Sequence, residues 1–232
     1  MTLITAKQFS VDETGAYITE LYDVDGNQVL FPRTMIGEKL RGGSHVCFPY
    51  FGPDGAGILP QHGFGRTVLW HAEVSPDGRT VTCTYDRNDD DEIFGGLDAE
   101  LRYELNEAGN ELVTTLTVTN NSDQPLPVTP GFHPYFTIDP TDTVLNGQRI
   151  VVADFEPFQS FPDMTRMRLE TAGRTVAISS KDLTHMIVWT DSKGNYLCIE
   201  PTIQGNGFNS GRSLQEGVLP GDTVSYNFSI NW

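Results

Sequence analysis

Apolar and polar residues alternate along most of the chain, with the period of two that places successive side chains on opposite faces of a β-strand. The alternation is clearest over residues 99–120, AELRYELNEAGNELVTTLTVTN, where two alternating runs flank a polar turn. The residues of the shared face are Leu101, Tyr103, Leu105, Leu112, Thr114, Leu116 and Val118. This pattern predicts a long antiparallel hairpin with one buried face.

Shorter segments repeat this pattern on either side of glycine-containing turns. Two further hairpins are predicted, one from 16–24 to 28–31 (QVLF) across Asp25-Gly26 and one from 67–74 to 81–88 across Pro76-Asp77-Gly78. Apolar runs with strand character follow at 150–155, 175–180, 185–190, 196–201 and 224–232. No stretch of 11 to 18 residues keeps a 3.6-residue period, so little helix is expected.

Many short strands separated by regular turns are typical of an all-β fold, here a large antiparallel β-sandwich. The length of 232 residues suits one such sandwich, and no linker-like stretch divides the chain. Residues 1–232 are therefore expected to form a single domain.

Composition limits the classes of partner. Lys and Arg total 15 against 31 acidic residues, which gives a net charge of −16. This charge repels nucleic-acid phosphates and anionic membranes, and no apolar run reaches the ~20 residues that a membrane span needs. The first residues lack the basic and apolar parts of a secretion signal, so a cytoplasmic location is expected. Cys47, Cys83 and Cys198 are widely spaced and odd in number, which favours free buried thiols.

Candidate chemistry concentrates in a loop-rich segment, residues 41–70, RGGSHVCFPYFGPDGAGILPQHGFGRTVLW. Glycines stand next to Arg41, His62 and Arg66, so a flexible backbone accompanies groups that donate protons or bind anions. This arrangement favours a small-molecule pocket. Taken singly, however, each residue could equally turn the chain or fill the core.

Three separated motifs together resemble one known family. They are RGG, FP and HGFGR-x-x-x-W within 41–70, GFHPYF at 131–136 and CIEP at 198–201. Their order and spacing resemble the galactose mutarotase-like family, in particular the aldose 1-epimerases and the hexose-6-phosphate 1-epimerase branch. The resemblance implies a β-supersandwich that interconverts the α and β anomers of a sugar without cofactor or metal.

The same resemblance implies roles for individual residues. Glu200 corresponds to the family's base and His133 to its acid, while His62 would hydrogen-bond the sugar. The ordinary pKa values of the two side chains agree with these roles. A glutamate, at about 4.3, is ionised at pH 7 and can accept a proton, while a histidine, at about 6.5, can be protonated and donate one. The family's sugar-binding aspartate has Asp163 as its best counterpart, with Asp154 behind it. Sugar-stacking surfaces could come from Trp70, Phe132 and Tyr135, although core packing is the alternative role.

Arg41 and Arg66 bear on the substrate, because a guanidinium group binds phosphate through a planar fork of donors. Two arginines in the pocket segment of an acidic protein favour a hexose 6-phosphate. The alternative is that either arginine pairs with an acidic neighbour. One departure from the family is the dipeptide Ser44-His45, where an apolar residue and a proline are usual.

Two other functions remain open on sequence grounds. One is a non-catalytic carbohydrate-binding protein on the same fold, because fold does not determine function. The other is a cupin-like metalloprotein that uses His62, His133 and Glu200, although the H-x-H pair of cupins is missing. The expected partner is a sugar or sugar phosphate, and the expected state is a monomer or weak homodimer. The acidic run 89–92 is expected to be an exposed loop rather than a calcium site.

Overall fold

The structure is a computed structural model that describes residues 2–52, 60–86, 94–155, 157–171, 173–203 and 217–232. Twenty strands are described: β1 Leu3–Thr5, β2 Phe9–Asp12, β3 Tyr17–Leu21, β4 Thr34–Ile36, β5 Lys39–Arg41, β6 Val46–Cys47, β7 Trp70–Val74, β8 Thr80–Tyr85, β9 Leu97–Leu105, β10 Glu111–Asn120, β11 Gly131–Phe132, β12 Tyr135–Thr137, β13 Thr143–Leu145, β14 Gln148–Ile150, β15 Phe158–Phe161, β16 Arg166–Thr171, β17 Arg174–Ser180, β18 His185–Trp189, β19 Tyr196–Thr202 and β20 Thr223–Asn231. One short 3-10 helix covers Val152–Asp154.

The larger of two main sheets has nine strands in the order β14-β13-β16-β17-β20-β10-β9-β8-β7. The predicted long hairpin lies inside this sheet, next to the central strand β20, and its strands β9 and β10 pair antiparallel with Leu101 opposite Leu116. The predicted hairpin of β7 and β8 lies at its edge, with Trp70 opposite Tyr85. Both hairpins are confirmed.

The second main sheet carries the chain segments that hold most of the predicted site. Its order is β15-β18-β19-β11-β6, and β12 also pairs with β19. Three strands, β1-β2-β3, form a small separate sheet, and β4 with β5 forms a two-stranded one.

The two main sheets pack face to face around one core. The nine-stranded sheet contributes Leu101, Leu116, Ile178 and Ile230, and the six-stranded sheet contributes Phe132, Met186, Val188, Leu197 and Ile199. All of these side chains are at most 1% exposed. The predicted all-β fold, a large antiparallel sandwich with little helix, is therefore confirmed.

Two predicted strands are wrong. Gln28 and Leu30 form only isolated bridges, to Tyr22 and Phe136, so 28–31 does not complete a hairpin. In the run 150–155, β14 ends at Ile150 and the 3-10 helix follows. In both places only part of a short apolar run packs into the core, as Leu30 and Val152 do, and no neighbouring strand pairs with the whole run. The pattern of apolar residues in the sequence cannot distinguish such a run from a strand that is paired along its whole length.

The acidic run 89–92 lies outside the described residues. Among the residues that are described, no helix has the length and apolar character that crossing a bilayer would require.

Candidate active site

Strand β19 separates the core from the site. Side chains alternate across a strand, so Leu197 and Ile199 enter the sandwich core while Cys198 and Glu200 lie on the opposite face. Glu200 is nevertheless only 2% exposed. The outer face of the six-stranded sheet is therefore itself covered, and it presents a carboxyl group in a water-poor environment.

His133 lies beside Glu200 because it falls between β11 and β12, which both pair with β19. Its backbone N–H donates to the carbonyl of His45 at 2.9 Å, which fixes the chain at this point. The His133 Nε2 atom is 3.4 Å from Glu200 Oε1. The structure thus brings together two motifs that are 67 residues apart in the sequence.

His62 reaches the same place from the loop after β6. Its backbone has a φ of 69°, a left-handed conformation that few non-glycine residues adopt. The following residue must be glycine, because a Cβ on Gly63 would lie 2.1 Å from the carbonyl oxygen of Phe48. The backbone at this point therefore requires the HG pair of the motif. This backbone conformation directs the His62 imidazole toward that of His133, and the two ring centroids are 5.3 Å apart.

The His62 ring is held in one tautomer. Its Nδ1 lies 2.8 Å from the carbonyl oxygen of Phe51, and a carbonyl only accepts, so Nδ1 carries the proton. Burial and the nearby Arg66 lower the pKa of His62 to about 4. At neutral pH the ring is therefore uncharged, and Nε2 is left as a hydrogen-bond acceptor.

These three side chains line a cavity of about 440 Å³, a volume typical of small-molecule sites. Its lining in the described part of the chain is Lys39, Arg41, Phe51, Gln61, His62, Arg66, His133, Tyr135, Phe158, Ile187, Trp189 and Glu200. Five of the six predicted site residues meet here: His62, His133, Glu200, Arg41 and Arg66.

His45 belongs to the same cluster, although sequence analysis gave it no role. It is 4% exposed, and its ring stacks on that of His133 at 4.9 Å with 28° between the planes. Tyr135 stacks on His133 as well, at 4.8 Å and 20°. The only signal in the sequence was the Ser44-His45 departure from the family pattern.

Burial changes the protonation behaviour of the central pair. It raises the pKa of Glu200 well above its ordinary value of 4.5. Burial, and then the imidazoles of His45 and His62, lower the pKa of His133 well below 6.5. The ordinary pKa values used in the sequence analysis therefore do not describe this buried pair. Both groups are shifted toward their uncharged forms.

Arg41 has a local acidic partner. Its Nε donates to Asp191 Oδ2 at 3.1 Å, and the hydroxyl of Tyr196 donates to the other oxygen of Asp191. The guanidinium also lies over the ring of Trp189, 5.4 Å from its centroid. Arg41 therefore pairs with an acidic neighbour, as the alternative in the sequence analysis had it, although it also lines the cavity. Asp191 was not found from sequence because it is 150 positions from Arg41.

Arg66 has no ion pair among the described residues. Its Nη2 donates to the backbone carbonyl of Gln61 at 3.1 Å, and the described residues offer no hydrogen-bond acceptor to the other donors of this guanidinium. Lys39, on β5, also lines the cavity and has no described acidic partner. These two cations, one of them not predicted, give the cavity a local positive charge.

The remaining predicted residues lie elsewhere. Asp163 is an exposed turn residue with a φ of 58° between β15 and β16, and it does not line the cavity. Asp154 is exposed in the 3-10 helix. Trp70 and Phe132 are core residues at 0% and 1% exposure. Of the three aromatic candidates, only Tyr135 reaches the cavity.

A family model described as aldose 1-epimerase matches residues 8–162, which is more than half of the chain. This span includes Arg41, His62, Arg66 and His133, whereas Glu200 lies beyond it.

Among individual relatives, an Escherichia coli K12 protein with the provisional name glucose-6-phosphate 1-epimerase is 26% identical over 181 residues. The match covers 66% of this chain but only 59% of that protein, so the chain spans about three fifths of its relative. A Salmonella typhimurium LT2 protein with the same provisional name is 39% identical over 51 residues, which are 22% of this chain and 17% of that protein.

Solved structures show the same fold. The Slr1438 protein from Synechocystis sp. PCC 6803 has a TM-score of 0.82 at 21% identity, covering 99% of this chain and 95% of that one. A galactose mutarotase related enzyme from Lactobacillus acidophilus has a TM-score of 0.79 at 17% identity, with 99% and 96% covered. The predicted galactose mutarotase-like architecture is confirmed.

The tautomer and the low pKa of His62 can be measured directly. In ¹⁵N-labelled protein at pH 7, the His62 ring should show a protonated Nδ1 and an unprotonated Nε2, and it should gain its second proton only near pH 4. The His62→Gln variant assigns the signals by their loss. A ring protonated at Nε2, or one that titrates at about 6.5, would contradict this account of His62.

Proposed function

The chain belongs to the aldose 1-epimerase family, and on this premise we propose that it interconverts the α and β anomers of a hexose by opening the sugar ring. The observation that carries the proposal is the contact between Glu200 and His133, 3.4 Å long, in the wall of a cavity that suits a small molecule. Ring opening needs one group that accepts a proton and one that delivers a proton, both in place at once.

In this mechanism Glu200 removes the proton of the anomeric hydroxyl while His133 delivers a proton to the ring oxygen. The bond between the anomeric carbon and the ring oxygen breaks, and the open-chain aldehyde forms. Rotation about the bond from the first to the second carbon turns the other carbonyl face toward the oxygen. The reverse proton transfers then close the ring as the other anomer.

The pair can supply both the base and the acid because a single titratable proton can reside on either Glu200 or His133. The shifted pKa values favour neutral Glu200 and neutral His133. Transfer of the Glu200 proton to His133 creates the base and the acid in one step, with no change of net charge in the buried site. The two titrations therefore belong to the pair rather than to either residue.

Other lining residues would orient the sugar. The acceptor Nε2 of His62 suits a sugar hydroxyl, and a hydroxyl left without such a partner in the cavity would be unfavourable. Tyr135 and Trp189 offer aromatic rings at the same wall. His45 contacts His133 rather than the cavity, so it would position the acid through ring stacking.

We propose a hexose 6-phosphate as the preferred substrate. Lys39 and Arg66 supply positive charge at the cavity without an acidic partner among the described residues, and this would suit a phosphate. Arg41 would contribute less, because Asp191 already neutralises it. The provisional name of the Escherichia coli relative points to the same substrate class.

A non-catalytic carbohydrate-binding protein is the second candidate, since the same cavity could hold a sugar without reaction. Anomer-exchange NMR on glucose 6-phosphate and on galactose, with and without protein, separates the two functions. Exchange above the spontaneous rate supports the enzyme, while sugar binding with no added exchange supports the binding protein.

Loss of the base should remove most of the activity. Glu200→Gln keeps the side-chain shape but cannot accept the proton, so exchange should fall by about 10²–10⁴-fold. The matched control is Glu104→Gln, which makes the same change at a surface position that is 53% exposed. An unaltered rate in a folded Glu200→Gln variant would show that Glu200 is not the base.

The rate should follow a bell-shaped pH profile. At low pH both groups carry protons, so no base is present and the rate falls. Because the pKa of His133 is lowered, this fall on the acid side (the acid limb) should lie below pH 6.5. At high pH the pair loses its last proton, so no acid is present and the rate falls again. Because the pKa of Glu200 is raised, this fall on the alkaline side should lie above pH 4.5. Stopped-flow polarimetry with the spontaneous rate subtracted measures both. An acid limb above pH 6.5 would contradict the assignment.

Arg66→Ala should weaken the phosphorylated substrate selectively. Loss of one charged contact should raise KM for a hexose 6-phosphate by roughly tenfold to hundredfold, and for the free hexose far less. Arg102→Ala is the matched control, because it removes the same charge from an exposed position on the nine-stranded sheet. Higher salt should reduce the phosphate-specific loss. Equal losses on both substrates would leave a mutarotase for free sugars.

A further inference from the structure

Cys198 places a third chemical group next to His133 and Glu200, behind the cavity wall that these two residues line. It stands two positions before Glu200 on β19, so both side chains lie on the same face of the strand. A cluster of three buried residues results, consisting of His133, Cys198 and Glu200. Each offers one possible ligand atom, and the three atoms lie within 4.8 Å of one another. His62, which the cupin-like hypothesis included, is not part of this cluster.

Two atoms of the cluster are left without a hydrogen bond to any described residue, although both are buried. They are His133 Nδ1 and Glu200 Oε1, and the nearest described polar group to Glu200 Oε1 in the pair is His133 Nε2 at 3.4 Å, which is too long and poorly aligned for a hydrogen bond. Folded proteins rarely leave buried polar atoms in this state, and such atoms at a functional site often bind an ion or a ligand. Glu200 Oε1 carries lone pairs that a cation can accept, and so does His133 Nδ1 in the tautomer whose proton is on Nε2.

We propose that His133, Cys198 and Glu200 bind a divalent cation of borderline softness, Zn²⁺ being the natural choice, with the fourth position open to the cavity. Imidazole nitrogen, thiolate sulfur and carboxylate oxygen are the donors that Zn²⁺ takes in proteins. The bond lengths of about 2.0–2.3 Å place neighbouring donors about 3.3–3.8 Å apart in a tetrahedral site. The side chains therefore close by roughly 1 Å around the ion, and on binding the Cys198 thiol and the Glu200 carboxyl group each release a proton to solvent.

The consequence for activity is inhibition. A bound ion occupies lone pairs of Glu200 and His133 that the epimerase mechanism uses for proton transfer. This consequence rests on the proposed function, whereas the binding site itself does not. Metal binding and sugar turnover therefore exclude each other.

Co²⁺ tests the site by spectroscopy, without any sugar. Titration of the chelator-treated full chain with Co²⁺ should give one equivalent of binding and a thiolate-to-cobalt charge-transfer band in the near ultraviolet. Added Zn²⁺ should bleach the band. Cys198→Ser should abolish the band, while Cys83→Ser should retain it, because Cys83 is a core cysteine on β8 outside the cluster.

A second variant keeps the test decisive if Cys198→Ser does not fold. Glu200→Gln retains the thiol but removes a charged ligand, so the band should persist with a Kd raised by at least about tenfold. The absence of a band in the parent protein would overturn the site. So would a band that survives in folded Cys198→Ser, or an unchanged Kd in Glu200→Gln.

Activity then separates inhibition from the other outcomes. Zn²⁺ at saturation should abolish anomer exchange, and a chelator should restore it fully. If chelation abolishes exchange and one equivalent of metal restores it, the ion is a cofactor and inhibition is wrong. If the parent protein exchanges no sugar but still shows the band, the epimerase proposal fails and the metal site stands.

Discussion

Glu200 and His133 share one contact, 3.4 Å long, in a place where water hardly reaches either group. An isolated charge has a high free energy there, because the surroundings cannot replace its hydration. Proton transfer between the two groups leaves the net charge unchanged, so it avoids most of this desolvation penalty. Stacking by His45 and Tyr135 keeps the imidazole in position. The buried pair thus explains why the cavity suits proton transfer.

The distribution of charge contrasts with this neutral centre. The chain carries a net charge of −16, yet Lys39, Arg41 and Arg66 all line the cavity. At physiological salt the Debye length is about 8 Å, so distant carboxylates are screened while nearby cations are not. Asp191 cancels one of the three cations. The cavity can therefore attract an anion even though the protein as a whole repels it.

The sequence predicted the parts of this structure that depend on local pattern. Alternation over 99–120 was sufficient for β9 and β10, and spaced motifs were sufficient to bring His133 and Glu200 together. Burial is a property of the packed sheets, so the pKa shifts could not be predicted. Neither could the pairing of Arg41 with Asp191, which depends on the loop after β18. The assignment of Asp163 was wrong because that residue lies in an exposed turn between β15 and β16, away from the cavity.

Strand β19 has a further consequence, which concerns how the protein folds. Its odd positions, Leu197 and Ile199, belong to the core, and its even positions, Cys198 and Glu200, belong to the site. A shift of one residue in its pairing with β18 would exchange the two sets. Such a misregistered strand would bring a carboxyl group into the interior of the sandwich and turn two aliphatic side chains outward. The glutamate that we assign to chemistry therefore also disfavours wrong strand pairing during assembly of the sheet.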